Sequence, residues 1–191
     1  MKLFLASNSP RRAALLSQIN VSFEHIRVDV DETKQIDETS EQYVQRLALQ
    51  KAQAGLKAIN AEGIVLGADT IVVADGMVLE KPKNQVHAQQ MMTLLSNNTH
   101  QVLTAVALVK QQKEKVLLVV TDVTFKALSI QEISDYWETG EPSDKAGGYG
   151  IQGIAGQFVT HISGSYSAVV GLPLYETAEL INEFKGACDV G

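Results

Sequence analysis

The sequence places one acidic side chain where apolar ones are expected. Asp69 lies inside the stretch Gly63–Val73, whose other residues are apolar, small or hydroxylated. Burying a carboxylate without a partner is costly, so we expect Asp69 to face a cleft, close to a cation or a metal ion. There it could act as a general base toward a water molecule. The alternative is a carboxylate that accepts hydrogen bonds from neighbouring backbone.

A second group of carboxylates lies earlier in the chain. Asp29, Asp31 and Glu32 fall within four consecutive residues, and in an extended segment Asp29 and Asp31 point to the same side. Carboxylate oxygens are the ligands that Mg²⁺ or Mn²⁺ takes together with phosphate oxygens. The cluster indicates either a metal site or a solvated acidic loop.

Two adjacent arginines close the stretch LASNSPRR at residues 5–12. Ser9 fits the N-cap and Pro10 the first position of a helix, so we expect a helix to begin there. A helix N-terminus attracts anions, and the guanidinium groups of Arg11 and Arg12 add bidentate donors. The stretch therefore indicates a phosphate site or, alternatively, a capped helix with solvated arginines.

Glycines are concentrated near residue 150. Four of them fall within the seven residues 147–153. Glycine lets the backbone approach a ligand closely, and Lys145 just before them could contact a phosphate. The stretch matches neither the P-loop nor the dinucleotide-binding pattern. A flexible loop without a ligand is the alternative reading.

Histidine and cysteine carry no comparable signal. The four histidines are scattered without metal-ligand spacing, so we expect no zinc site. No GxSxG or Cys–His pattern indicates covalent catalysis. The single cysteine, Cys188, excludes an internal disulfide and is typical of a reducing compartment, so the sequence predicts a cytoplasmic protein.

Hydrophobic periodicity predicts the elements that must position these residues. Strands are expected at Lys2–Ala6, Phe23–Val28, Ile64–Ala74, Met77–Leu79, Gln101–Lys110, Lys115–Phe125 and Gln157–Ser163. Helices are expected at Arg11–Gln18, Glu41–Leu56 with Ser40 as N-cap, Val86–Leu95, Ile130–Thr139 and Leu174–Lys185. Asp75-Gly76 is a strong hairpin signal. The pattern predicts an α/β or α+β protein.

The whole chain bounds the class of protein. Its 191 residues suffice for one large domain or two small lobes. The net charge of −6 argues against a nucleic-acid surface. No apolar run approaches the length of a membrane span, and residues 8–12 interrupt the apolar start, so we expect no membrane partner and no signal peptide.

Seven stretches, taken together and in order, resemble the Maf family of nucleoside triphosphate pyrophosphatases. They are LASNSPRRAALL, VDET, YVQRLALQKA, LGADTIV, LEKPKN, SDKAGGYGIQG and SYSAVVGLPL. The resemblance implies hydrolysis between the α- and β-phosphates with a divalent metal cation, Mg²⁺ or Mn²⁺. It implies one elongated domain over residues 1–191, with a mixed sheet and a cleft between two lobes, similar to inosine triphosphate pyrophosphatases. It also suggests a homodimer.

The resemblance also implies roles for individual residues. The general base falls on Asp69, and the positions that set substrate specificity fall on Arg11, Thr70 and Gln152. Phosphate or metal contacts fall on the following residues: Ser7, Arg12, Lys51, Lys81 and Lys145 for phosphate, and Glu32 with Asp69 for the metal. Whether Asp69 acts mainly as base or as metal ligand stays open. Gln50 stands where the family pattern suggests an acidic residue, which weakens any role for position 50.

The three specificity positions indicate the branch of the family. Arg11, Thr70 and Gln152 are similar to the branch acting on dTTP and UTP, whereas the branch that prefers 7-methyl-GTP has Trp, Gln and Glu there. We therefore expect hydrolysis of dTTP and UTP, and of modified pyrimidine analogues, to the monophosphate and pyrophosphate. The alternatives are a 7-methyl-GTP pyrophosphatase and a non-hydrolysing nucleotide-binding regulator of cell division.

Overall fold

The structure is a computed structural model that describes residues 2–60 and 63–186. Cys188, the single cysteine, lies outside the described residues. The strands are β1 (Leu3–Ala6), β2 (Glu24–Ile26), β3 (Ile64–Ala74), β4 (Met77–Leu79), β5 (Thr99–Lys110), β6 (Lys113–Phe125) and β7 (Val159–Ser163). The helices are α1 (Pro10–Gln18), α2 (Ser40–Ala58), α3 (Gln85–Leu95), α4 (Ile130–Glu138), α5 (Tyr166–Val170) and α6 (Leu174–Gly186). Short 3₁₀ turns cover Glu141–Asp144, Ala146–Gly148 and Ile154–Phe158.

The strands form a sheet of mixed direction. Their order is β2-β1-β3-β5-β6-β7, and β4 pairs with β3. β1 runs parallel to both β2 and β3, whereas β4 is antiparallel to β3 and β7 is antiparallel to β6. The expected mixed α/β fold is confirmed.

Local sequence signals explain most of the element boundaries. Asp75 and Gly76 both adopt positive φ, 48° and 74°, which is the geometry of the tight hairpin predicted between β3 and β4. The prediction of Ser40 as the N-cap of α2 is wrong by one residue: Thr39 is the cap, and it forms a capping box with Gln42. The side-chain amide of Gln42 reaches back to the Thr39 backbone, and this reciprocal bonding fixes the start one residue earlier.

Some boundaries differ from expectation. Ser9 is the N-cap of α1 and Pro10 its first residue, as predicted, but the Ser9 side chain makes no capping hydrogen bond. β2 covers only Glu24–Ile26, shorter than the predicted strand. The periodicity did not predict α5 or the 3₁₀ turns, because segments of five residues or fewer are too short to show a helical period.

The described chain divides into two compact units. The first comprises the described residues of Met1–Asp69, Thr104–Val119 and Gly171–Gly191, and the second those of Thr70–Leu103 and Val120–Val170. The boundary therefore falls within β3, between Asp69 and Thr70. That the whole chain is one domain with two lobes stays a prediction.

Each unit has its own core. In the first, α2 lies close against β1 and β3, since a Cβ added at Gly55 would stand 2.7 Å from Val65 Cγ1 and 3.0 Å from Ala6 Cβ. In the second, aromatic rings pack edge to face around Phe125, whose ring centroid lies 5.0 Å from that of His100 and 4.9 Å from that of Tyr149. The two cores support different sets of the predicted site residues.

Candidate active site

Helix α2 approaches β3 most closely at Gly67. A Cβ added there would stand 2.4 Å from Ala48 O and 2.5 Å from Ala52 N, so only glycine fits against the helix backbone. Side chains two residues apart on a strand share a face, and Asp69 therefore points toward the same helix as Gly67. This close packing brings Lys51 of α2 within reach of Asp69.

Lys51 joins two of the predicted acidic residues. Its Nζ lies 2.6 Å from Asp69 Oδ1 and 2.6 Å from Glu32 Oε1. The side chains of Lys51 and Asp69 are 13% and 11% exposed, whereas that of Glu32 is 54% exposed. Asp69 thus has the cationic neighbour that its position in an apolar strand required. Lys51, expected as a phosphate contact, is an ion-pair partner of both carboxylates in the structure.

Two side chains of α2 hold the segment that carries Glu32. The Tyr43 hydroxyl donates to Glu32 O at 2.7 Å. Arg46 donates to both carboxylate oxygens of Glu38, at 2.6 and 2.9 Å, and to Thr33 O at 3.0 Å. Sequence reasoning missed both roles. Helical periodicity places Tyr43 in α2 without indicating a partner, and nothing local links Arg46 to a segment that precedes it by eight residues or more.

Gln50 also takes part in this arrangement. Its Oε1 accepts a hydrogen bond from Arg46 Nη1 at 3.0 Å. Because Gln50 is an uncharged acceptor, the charge of Arg46 is balanced by Glu38, to which Arg46 donates two hydrogen bonds. Gln50 therefore helps to orient the arginine that fastens the Glu32 segment.

Ser7, just after β1, and Arg12, in α1, lie near Asp69. Ala6 at the end of β1 is in register with Gly67 of β3, so Ser7 follows at the level of residues 67–69. Ser7 Oγ accepts from Arg12 Nη1 at 3.3 Å and from Ser9 N at 3.1 Å. Arg12 Nε donates to Gly171 O at 2.8 Å. Arg12 is thus fixed at two points of its guanidinium group.

Three of the other predicted site residues carry charges that act on Arg12. Burial lowers the pKa of the Arg12 guanidinium, and the Asp69 carboxylate acts in the opposite direction. Arg11 lowers the same pKa further and Glu32 raises it. Arg11, Glu32 and Asp69 are therefore each within electrostatic range of Arg12, in the first unit. A partly dehydrated arginine beside a carboxylate pair suits an anionic ligand that also brings a cation.

The carboxylate pair fits only a particular kind of metal site. Across residues 2–60 and 63–186, no group of three or more His, Cys, Asp or Glu side chains could hold a metal ion. Mg²⁺ is commonly bound through one or two protein carboxylates together with substrate phosphates and water. Glu32 and Asp69, which share Lys51, fit that donor set.

The second unit carries the remaining predicted residues, Thr70, Lys81, Lys145 and Gln152. Thr70 follows Asp69 in β3 and therefore points to the opposite face of the strand. Lys81 and Gln152 are exposed. Lys145 is 17% exposed, and its Nζ donates to Glu141 O and Asp144 Oδ1, both at 2.7 Å.

The glycine-rich segment is an ordered turn in the structure. Gly147 has a φ of 69° and lies against the side chain of Val72, 2.9 Å from where its Cβ would be. Its amide donates to Glu80 O at 3.2 Å, which ties the segment to the residue before Lys81. The sequence left a flexible loop open as an alternative, and these contacts argue against it.

Comparison with known proteins gives consistent matches over nearly the whole chain. The model of the family "Maf-like protein" matches residues 2–184. The dTTP/UTP pyrophosphatase of Vibrio vulnificus is 55% identical over 183 residues, which cover 96% of this chain and 98% of that protein. The dTTP/UTP pyrophosphatase of Salmonella typhimurium is 55% identical over 187 residues, covering 98% and 95% respectively.

Solved structures match more weakly. A nucleoside-triphosphatase / dITP/XTP pyrophosphatase from Mycobacterium abscessus aligns with a TM-score of 0.44 and 20% identity, over 67% of this chain and 76% of that one. A likeness at this level carries no argument about function.

Among the described residues, no helix combines the length and apolar character needed to cross a membrane.

Proposed function

The chain belongs to the family of Maf-like proteins, and on that premise we propose that it hydrolyses dTTP and UTP to the nucleoside monophosphate and pyrophosphate. Relatives that are 53–56% identical over nearly their full length carry the name dTTP/UTP pyrophosphatase. At such identity and coverage the chemistry is expected to be shared. Modified pyrimidine triphosphates are included in the proposal where the modification keeps the O4 and N3–H edge of the base.

The observation that carries the proposal is the setting of Asp69. Its side chain is 11% exposed in an apolar strand and is held by Lys51 at 2.6 Å, and it lies within electrostatic range of Arg12. A fixed carboxylate beside two cations is suited to activating water beside a polyphosphate. A purely structural aspartate would need only one cationic neighbour.

We assign the hydrolytic step to Asp69. Lys51 contacts Oδ1, which leaves Oδ2 to take a proton from the attacking water or to bind the proposed cation, and these two roles compete. The water oxygen forms a bond to the α-phosphorus, the bridging bond between the α- and β-phosphates breaks, and pyrophosphate leaves with its electron pair. Arg12 and Lys51 stabilise the charge that spreads over the phosphate oxygens as this happens.

The other predicted residues receive roles that rest on the family resemblance. Ser7, Lys81 and Lys145 contact phosphate oxygens. Arg11, Thr70 and Gln152 select the base, and the amide of Gln152 suits the O4 and N3–H edge of uracil or thymine. Gln152 is exposed, which leaves its amide available to a ligand.

A divalent cation, Mg²⁺ or Mn²⁺, is part of the proposal. Glu32 and Asp69 would hold it, and it would supply neutralisation of the phosphate charge. A homodimer and a cytoplasmic location, both expected from the sequence, remain proposals. Light scattering on the purified chain would test the first.

The decisive experiment measures pyrophosphate release from dTTP, UTP and 7-methyl-GTP, with Mg²⁺, with Mn²⁺ and with a chelator. We expect turnover of dTTP and UTP that the chelator abolishes, and at most weak turnover of 7-methyl-GTP. Preference for 7-methyl-GTP would assign the chain to the other branch. Nucleotide binding without any pyrophosphate release would identify a regulator and overturn the proposed hydrolysis.

A further inference from the structure

The side chain of Glu141 lies against the turn that carries Gln152. Its Oε2 accepts a hydrogen bond from Ile154 N at 2.9 Å, and its Oε1 accepts from Ala155 N at 3.4 Å and from the Tyr136 hydroxyl at 2.8 Å. No role for Glu141 follows from the motifs or from the roles assigned above. Its carboxylate makes three hydrogen bonds, two of them to backbone groups 13 and 14 residues further along the chain.

These bonds close both ends of one four-residue turn. Gly153 N donates to Gly150 O at 3.0 Å, so Gln152 occupies the third position of the turn Gly150–Gly153. At the first end, Gly150 N donates to the Tyr136 hydroxyl at 3.2 Å, and that hydroxyl donates to Glu141. At the other end Glu141 binds Ile154 directly. One carboxylate therefore fixes the backbone on each side of Gln152.

The glycines of the turn make room for this carboxylate. A Cβ added at Gly153 would stand 2.2 Å from Glu141 Oε2, and one added at Gly150 would stand 2.7 Å from Lys145 Cε and 3.4 Å from Glu141 Oε1. Gly153 has a negative φ of −107°, so its backbone conformation is open to other residues. A larger residue there would displace the Glu141 carboxylate from the position it has in the structure.

The carboxylate is held in its charged form. Burial alone would raise the pKa of Glu141, but the hydrogen bonds from Ile154 and Tyr136 and the nearby Lys145 ammonium outweigh it, and the net pKa lies below the usual range. At neutral pH Glu141 therefore accepts hydrogen bonds and donates none, which matches the N–H and O–H groups around it. A side chain that also donates would not satisfy them equally well.

We propose that Glu141 is the positioning residue for base selection, holding the turn Gly150–Gly153 so that the Gln152 amide is presented in one orientation. This inference rests on the proposed function, since it needs a nucleotide whose base Gln152 reads. Uracil and cytosine differ at the edge that such an amide would read, because O4 and N3–H of uracil are replaced by an amino group and an acceptor nitrogen in cytosine. Selection of UTP over CTP is therefore the property that Glu141 controls.

The test is the ratio of kcat/KM for UTP to kcat/KM for CTP in Glu141→Gln. The glutamine has the same shape, but its amide group replaces one acceptor oxygen, so one of the two ends of the turn loses its anchor. We expect the ratio to fall on the order of tenfold, mainly through a higher KM for UTP. Gln152→Ala should lower the ratio similarly, and the double variant should lower it no further.

The matched control is Glu132→Gln in the same unit. Glu132 also accepts hydrogen bonds from backbone and hydroxyl groups, because it completes the capping box of α4 with Ser129. Its replacement should lower stability and leave the UTP-to-CTP ratio unchanged. Tyr136→Phe, which removes only the hydroxyl that links Gly150 to Glu141, gives the same reading if Glu141→Gln does not fold.

The outcomes separate the two levels of the proposal. A wild-type chain that releases no pyrophosphate from UTP overturns the proposed function and this inference with it. With hydrolysis intact, an unchanged UTP-to-CTP ratio in both Glu141→Gln and Tyr136→Phe overturns the inference alone. A reduced ratio in these variants but not in Glu132→Gln supports it, since a general loss of stability would affect all three.

Discussion

Asp69 is stable within an apolar strand because Lys51 lies beside it. The ion pair at 2.6 Å supplies the partner that a carboxylate needs when it leaves water. Glu32 shares the same ammonium from a more exposed position. A single lysine thus fixes the orientation of the proposed base and of the second carboxylate.

The role of Asp69 is tested by Asp69→Asn. The amide keeps the shape of the side chain but cannot accept the proton of the attacking water, so kcat for UTP should fall on the order of 10²–10⁴-fold. Nucleotide binding, followed by calorimetry, should be largely retained. Asp135→Asn on the exposed face of α4 is the control and should turn over normally. Near-normal kcat in Asp69→Asn would remove Asp69 from the role of base.

The role of Lys51 as partner is tested by Lys51→Met. The variant leaves Asp69 buried without its cation, so the free energy of unfolding should fall by about 3 kcal/mol. In the double variant Lys51→Met/Asp69→Asn the loss should be smaller than the sum of the single losses. Urea unfolding gives all three values. Strict additivity would mean that the two side chains do not depend on each other.

At the scale of elements, the contact of α2 with β3 decides where Lys51 lies. Because Gly67 has no Cβ, the helix backbone can lie where a Cβ would be only 2.4–2.5 Å from it. Ala48 and Ala52 are the small residues of the helix that face Gly67. Gly67 is distant in sequence from the two alanines, and only the packed elements show why all three are small. The helix start, the hairpin at Asp75-Gly76 and the apolar strand around Asp69 were predictable, because each depends on neighbouring residues.

Gly67→Ala tests this contact. The added methyl group meets backbone atoms that cannot rotate away, so the helix must shift, at a cost of about 1–3 kcal/mol or more in unfolding free energy. The shift also moves Lys51 from Asp69, and kcat should fall with stability. Gly186→Ala is the matched control, since nothing lies within 4 Å of its added Cβ. Equal stabilities of the two variants would contradict the close packing described for β3.

The same limit explains which site residues the sequence could not indicate. Tyr43, Arg46 and Glu141 act through hydrogen bonds to segments eight to fourteen residues away. Their partners are backbone groups or lie in irregular segments, which have no period to recognise. From the sequence, the glycines at 150 and 153 indicate room for a ligand or a flexible loop, whereas in the structure they make room for Lys145 and Glu141 of the same chain.

At the scale of the whole molecule, one buried histidine links folding to pH. His100 is 2% exposed, its Nε2 lies 2.8 Å from the Tyr149 hydroxyl, and burial lowers its pKa to about 4. The unfolded chain, with a histidine pKa near 6.5, therefore binds a proton that the folded chain excludes. Stability from this residue is present at neutral pH and is lost as the pH falls from about 6.5 toward 4.

The expected loss between pH 7 and pH 5 is about 2 kcal/mol of unfolding free energy from His100. In His100→Gln, which does not titrate, the curve of stability against pH should be flatter over that interval, although the variant is less stable at pH 7. Chemical denaturation at several pH values measures both curves. Parallel curves would show that another group accounts for the acid sensitivity.

The anchoring of the turn Gly150–Gly153 has a consequence for how such a protein can change over generations. Because Glu141 and Tyr136 fix the backbone from behind, the exposed side chain at position 152 contributes little to holding the turn together. That position can be exchanged with little penalty in folding, so a new preference for a base needs few simultaneous changes. The residues that hold the turn are therefore separate from the side chain at position 152, whose identity can change without loss of the fold. Position 152 is the first place to redesign for a new base preference.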